Sequence, residues 1–295
     1  MPKLLIQRIT FEHAPMLASN ALTTKMKCSV LAAWSIAFSL SIPALSHPLS
    51  ANPPMDELAA LANRQRVEFV TTNPKFPIKT LHGLIEGKAA DSKDMESYLP
   101  IFLAEWQLYP PELIRKTGLK RVILCGDLSF AGQRRGAIPD FEHNDLYFDV
   151  KRGRHNELYI RKVIHHEFYH IIDLRDDGLL YADERWAALN PPGFKYGAGG
   201  KNAQGDATVS LITDAVPGFL NKYSMTGVEE DKAEIFANLV VNGPAIEKRA
   251  NVDKVIASKV TRLKETLTAF CPQVDARFWE GARKVVRGDA PRAER

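Results

Sequence analysis

The sequence predicts an α+β fold, and three features of its 295 residues predict it. Two short apolar runs, Arg121–Cys125 (RVILC) and Asp145–Val150 (DLYFDV), have the length and composition of strands. A helical pattern follows from about Asn156 to Asp173, and helical spacing returns over residues 228–241 and again beyond Pro244. Strands succeeded by a run of helices, rather than alternating with them, point to a small sheet packed over the first of these helices with a helical C-terminal part.

The remaining elements follow from local chemistry. Residues 54–65 and 93–107 carry apolar side chains at helical spacing, separated by a Pro-containing extended stretch, Thr71–Ile78. Pro110-Pro111 opens a short helix, Glu112–Thr117, which Gly118 ends. Leu158, Ile160, Val163, Ile164, Phe168, Ile171 and Ile172 supply the apolar faces of the helix that Gly178 terminates. The Gly- and Pro-rich segment Pro191–Gly205 predicts surface loops. Val252, Val255, Ile256, Val260, Leu263 and Leu267 predict a further helix, and Cys271-Pro272 separates it from a last one starting near Asp275.

A chain that is 45% hydrophobic and 25% charged can bury a sizeable core, and no fixed-period repeat suggests a solenoid. Residues 1–46 are set apart from that core. From Met26, a basic Lys27, an apolar run Ser29–Ile42 too short to span a bilayer stably, and the small residues of Ala44-Leu45-Ser46 predict a secretory signal peptide over 26–46, cleaved after Ser46. The expectation is an exported protein, periplasmic or extracellular, with no stable membrane association once the signal is removed. The organisation expected is a leader over 1–46, an N-terminal segment over 47–92, a folded domain over 93–288 and a charged tail over 289–295. The leader holds four basic side chains and one acidic one, so the formal net charge of +4 falls to +1 without it. That balance, with no basic stripe, argues against nucleic-acid binding. Cys125 and Cys271 remain after processing; export would permit a disulfide, and two buried free thiols are the alternative.

The chemistry concentrates in His166-Glu167-Phe168-Tyr169-His170, a match to H-E-x-x-H. Four residues on a helix make about one turn plus roughly 40 degrees, so both imidazoles share one face and can meet one tetrahedral ion. Glu167 lies in the neighbouring sector, where it can hold a water and accept its proton. Zinc suits this task as a redox-inert Lewis acid held by three protein ligands with a fourth position open. His165 lies on a different face and is expected to pack or support rather than ligate.

Two histidines do not complete such a site. Asp176 stands ten residues past His166, where metzincins place their last ligand, but that arrangement needs a glycine where this chain has Asp173. The better source is Glu229–Ala237, in which Glu230 and Glu234 fall one turn apart; one carboxylate can bind a metal while the other accepts an N–H from a ligand histidine.

The pattern His166-Glu167-x-x-His170 followed by Tyr223-x-x-Thr226-x-x-x-Glu230-x-x-Ala233-Glu234-x-Phe236 resembles the gluzincins related to the lethal factor catalytic domain, together with a broader set of bacterial zinc-binding metallopeptidases. The resemblance spans about residues 95–250. It implies a zincin-like fold, Zn2+ as cofactor, a peptide or protein substrate, Glu230 as third ligand, Glu167 as general base, Tyr223 as the hydroxyl that stabilises the oxyanion, and Glu234 as the partner of a ligand histidine. It further implies that the strand before the active-site helix, Asp145–Val150, is a sheet edge to which an extended substrate adds. A non-catalytic module that keeps the fold for binding, and a hydrolase of cell-wall peptides, stay open beside the peptidase reading.

Overall fold

The computed structural model describes residues 53–197, 199–200 and 210–288, so the leader, its signal peptide and the 289–295 tail lie outside the described residues. In chain order the elements are α1 (Pro53–Gln65), β1 (Glu68–Val70), β2 (Ile78–Thr80), β3 (Gly83–Ala89), α2 (Ser92–Trp106), α3 (Pro111–Thr117), β4 (Arg121–Phe130), β5 (Gln133–Arg134), β6 (Ala137–Asp140), β7 (Asp145–Asp149), α4 (Glu157–Asp177), α5 (Glu184–Ala187), a 3-10 turn (Tyr223–Met225), α6 (Val228–Val252), α7 (Lys254–Phe270) and α8 (Ala276–Lys284). This is the α+β, zincin-like arrangement of a small sheet over a long helix with a helical C-terminal part.

β4 is the hub of the sheet, whose order is β2-β3-β4-β7-β6 with β1 and β5 also paired to β4. β1 and β7 run parallel to its first half, and β3 runs antiparallel along its second. The run RVILC was expected to stop at Cys125, before Gly126. The strand instead continues to Phe130 past a bulge in which Asp127 and Leu128 lie opposite the single residue Gly87 of β3. Strand alternation then sorts two cores. Val122, Leu124, Leu146 and Phe148 face the helices, whereas Ile123, Cys125, Leu128 and Tyr147 join Ile85 and Ile138 on the other side.

Asp145–Asp149 is not an edge. It is buried along its whole length between parallel β4 and antiparallel β6, and the edge on this side is β6. β6 escaped sequence reading because Pro139 interrupts its pattern, and an edge strand is where a proline is tolerated. Residues 53–89 likewise supply α1 and β1–β3 to the same sheet and core, so the described residues on either side of 92/93 share one sheet. Cys125 and Cys271 are both buried free thiols in separate apolar clusters, which accounts for their not pairing.

Helix α4 begins where the Asn156 side chain accepts the Tyr159 N–H at 3.0 Å and ends at Gly178, whose φ of 80° only glycine adopts freely. Its apolar face packs Phe168 against Trp106 and Tyr109 at centroid distances of 4.9 and 4.5 Å. Helix α6 was expected to stop near residue 241 because Pro244 cannot continue a helix. It runs on to Val252 through a kink at Asn242, where the backbone leaves helical geometry and the missing proline N–H goes unneeded. No described helix is long and apolar enough to cross a membrane.

Behind the motif helix lies a buried ionic cluster. Glu105 of α2, fully buried, accepts hydrogen bonds from Arg161, from His165 Nε2 at 2.9 Å and from Arg287 Nε and Nη2 at 2.8 and 2.6 Å. Burial pushes the Glu105 carboxyl up, but His165 and Arg287 outweigh it and hold the group well below the usual carboxylate range. A carboxyl depressed in the folded state stabilises the fold above its ordinary value of 4.5, and that contribution disappears as pH falls below it. Glu105→Ala, which strands three buried donors, is expected to cost about 3–5 kcal/mol in urea melts at pH 7. The same melts repeated towards pH 4 should show a shallower loss of stability in the variant than in the wild type.

Candidate metal centre

Three elements meet at the mouth of the sheet. α4 carries His166, Glu167 and His170, the first turn of α6 carries Glu230, with Glu234 one turn on, and the 3-10 turn carries Tyr223. The start of α6 is fixed from both sides of Glu230. Asp231, fully buried, accepts from Trp186 Nε1 at 2.9 Å and Tyr196 Oη at 2.6 Å and pairs with Lys259 at 2.7 Å. Lys232 reaches across to α4 and donates to Asp173 at 2.7 Å. Neither Asp231 nor Lys232 stood out in the sequence, where both belong to an ordinary charged helix start; burial alone sets them apart.

His166 Nε2 stands 3.0 Å from Glu230 Oε2 and 3.1 Å from His170 Nε2, and His170 Nε2 is 3.6 Å from the same carboxylate oxygen. Ligand atoms at the Zn–N and Zn–O bond lengths of about 2.1 Å, placed at tetrahedral corners, lie about 3.4 Å apart. The three donors therefore already have the spacing of three corners of one coordination sphere. His166 Nδ1 is 3.1 Å from Glu234 Oε1, and its proton donated there leaves Nε2 with a free lone pair facing the triad. Glu234 is itself held by Asn221 Nδ2 at 2.6 Å and by Asn238 Nδ2 and Lys162 Nζ at 3.2 Å.

The ionisable groups of the site shift one another. Burial pushes His166 down, yet the carboxylates of Glu230 and Glu234 outweigh it and raise the imidazole to about 10. Burial raises Glu230 too, but His166 and His170 hold it well below the usual range. Glu234, against burial, is drawn down to about 2 by Lys162, His166 and Asn221. Two carboxylates enclosed with two imidazoles form a donor set of the types zinc prefers.

Glu167 lines the adjoining cleft, and burial raises its pKa against the pull of His166 and His170. Tyr223 donates its hydroxyl to Glu230 Oε1 at 2.9 Å, and its ring centroid lies 5.9 Å from that of His166. Burial, with Glu230 and Glu167 nearby, pushes the phenol far above its ordinary value, so it stays protonated. Asp176 is exposed and stands outside the His166, His170 and Glu230 group. His165 is buried with both ring nitrogens engaged, Nε2 by Glu105 and Nδ1 by Tyr109. It supports the helix, as its position round the helix predicted.

The Pro191–Gly205 segment was expected as a surface loop, and Pro191–Gly193, Lys195 and Gly197 are exposed and irregular. The loop then turns inward: Gly197 and Gly199 bond the carbonyls of Met225 and Thr226 at 3.0 and 2.6 Å, and Gly200 is buried against the site. A Cβ on Gly200 would stand 2.3 Å from both Glu230 Oε1 and the Tyr223 hydroxyl, so only glycine lets the chain pass there. Residues 201–209 lie outside the described residues.

A family model described as "Putative zinc-binding metallo-peptidase" matches residues 107–270, over half of the chain, and encloses every residue of the site. The chain belongs to this family of zinc-binding metallopeptidases. The fold agrees with a crystal structure of a "putative zinc-binding metallo-peptidase" from Bacteroides caccae, with a TM-score of 0.51 at 17% identity, covering 80% of this chain and 94% of that one. No match is found among curated proteins. In this metallopeptidase, Glu230→Ala should abolish stoichiometric zinc while Asp176→Ala keeps it, read by elemental analysis. Glu234→Ala should retain zinc but bind it roughly 10- to 100-fold more weakly in chelator competition, because the His166 ring loses the partner that orients it.

Proposed function

We propose that the protein is an exported peptidase of the gluzincin type, in which His166, His170 and Glu230 hold zinc and Glu167 is the general base for peptide-bond hydrolysis. The observation that carries this reading is the convergence of three donor atoms from α4 and α6 beside the Glu167 carboxyl, at the wall of an open cleft of about 640 Å³. When bound, zinc supplies Lewis acidity towards water and a peptide carbonyl. Glu167, its carboxyl pushed up by burial, accepts the proton of the attacking water and returns it to the leaving amine. Tyr223, protonated and hydrogen-bonded to Glu230, can turn its hydroxyl to the oxyanion that develops on the substrate carbonyl. Strand β6, the edge beside the cleft, offers free backbone groups to an extended peptide, the role first expected of Asp145–Val150. Export rests on the signal predicted over residues 26–46.

Glu167→Gln is expected to keep zinc and fold and to lose turnover by about 10²- to 10⁴-fold on a peptide library. Tyr223→Phe should lower kcat roughly 10²-fold with zinc content unchanged. A Glu167→Gln protein that cleaves at the wild-type rate would remove the base assignment. Amino-terminal sequencing of the protein recovered outside the cytoplasm checks cleavage after Ser46.

A further inference from the structure

Part of the cleft carries positive charge that bond hydrolysis does not use. Arg135 sits between β5 and β6, and its backbone is fixed on both sides. Its own N–H bonds Leu128 O at 2.9 Å, and the next carbonyl, Gly136 O, accepts the Asp149 N–H at 2.8 Å. Its guanidinium Nη2 donates to Gln133 Oε1 at 3.0 Å, whereas Nη1 is buried with no partner. Arg135 lines the same cleft as Glu167 and His166, and burial presses on the guanidinium, with the negative charge of Glu167 as its main counterweight. Arg152, an exposed residue, lines the same cleft; Asp149 Oδ1 accepts its backbone N–H at 3.0 Å, and its side chain lies beside the Tyr159 hydroxyl.

The other two cations of the cleft, Arg134 and Lys162, are neutralised by Asp127 and Glu234. Among the described residues, neither Arg135 nor Arg152 forms a salt bridge. A buried guanidinium donor without an acceptor is unfavourable in the free protein and gains most when an anion arrives. The planar fork of arginine fits a carboxylate with two parallel hydrogen bonds. Glu167 cannot serve as that acceptor and remain free to take a proton.

We infer that Arg135 and Arg152 form a substrate-carboxylate subsite, selecting peptides that present an acidic side chain or a free carboxyl terminus next to the scissile bond. This rests on the hydrolase reading above.

The test uses the zinc-loaded full chain carrying Glu167→Gln and four matched fluorescent peptides. They bear internal Glu or Gln, each with a free or amidated C-terminus, and binding is read by anisotropy. At least one anionic form should bind about tenfold more tightly than the neutral peptide. Which form does so distinguishes side chain from terminus. Adding Arg135→Gln and Arg152→Gln should erase the preference while zinc content stays the same, and Arg135→Lys should restore part of it. Equal binding of all four peptides, no binding of any, or a preference that survives both arginine substitutions would overturn the inference. A protein that selects anionic peptides yet cleaves none with Glu167 intact would sink the hydrolase reading and leave the subsite standing.

Discussion

The crossing of α4 and α6 governs this molecule, because it brings together donor atoms on residues 64 apart in the chain to within hydrogen-bond distance. One helix turn fixes the two imidazoles relative to each other, but Glu230, the third candidate ligand, belongs to another helix, and its position is set by what anchors that helix. Lys232 bridges directly to Asp173 on α4, and Asp231 is held in place by Trp186, Tyr196 and Lys259. Asp231, next to Glu230 in the sequence, points elsewhere to hold the turn while Glu230 faces the imidazoles. A metal site needs its ligands placed to within a fraction of an ångström, and buried charge pairs supply that constraint more sharply than apolar packing does.

Those pairs also explain why so much charge is tolerated inside. Glu105, Asp231, Lys259, His165 and Glu234 are all essentially excluded from water, and each has a partner of the opposite sign or a matching donor. The Glu105 cluster ties α2, α4 and the segment after α8 into one block behind the motif helix. On the cleft side, the converging donor atoms of His166, His170 and Glu230 suit a divalent cation, and Arg135 Nη1, buried without an acceptor, suits an anion.

The sheet contributes less chemistry than position. β4 and β7 are parallel, buried and rigid, and they present the edge strand β6 and the turn after β7 to the cleft. Gly200 packs against the site, its missing side chain leaving room for the Glu230 carboxylate and the Tyr223 hydroxyl to meet.

The sequence by itself determined what local physics controls. Helix period, capping by Asn156 and the left-handed Gly178 delimit α4, and the four-residue spacing of its histidines is a property of any helix. The placing of Glu230 and Glu234 one turn apart was legible for the same reason, and the two carboxylates contact opposite nitrogens of His166, Glu230 at Nε2 and Glu234 at Nδ1. What needed the tertiary structure was everything set by distant partners. That β6 rather than β7 is the edge depends on which strands pair. That Gly200 enters the site, that Cys125 and Cys271 lie in separate cores, and that Arg135 shares a cleft with Glu167 depend on where the chain returns. In sequence an exposed charge and a buried one look alike; only packing decides which of them water can reach, and therefore which are available for chemistry.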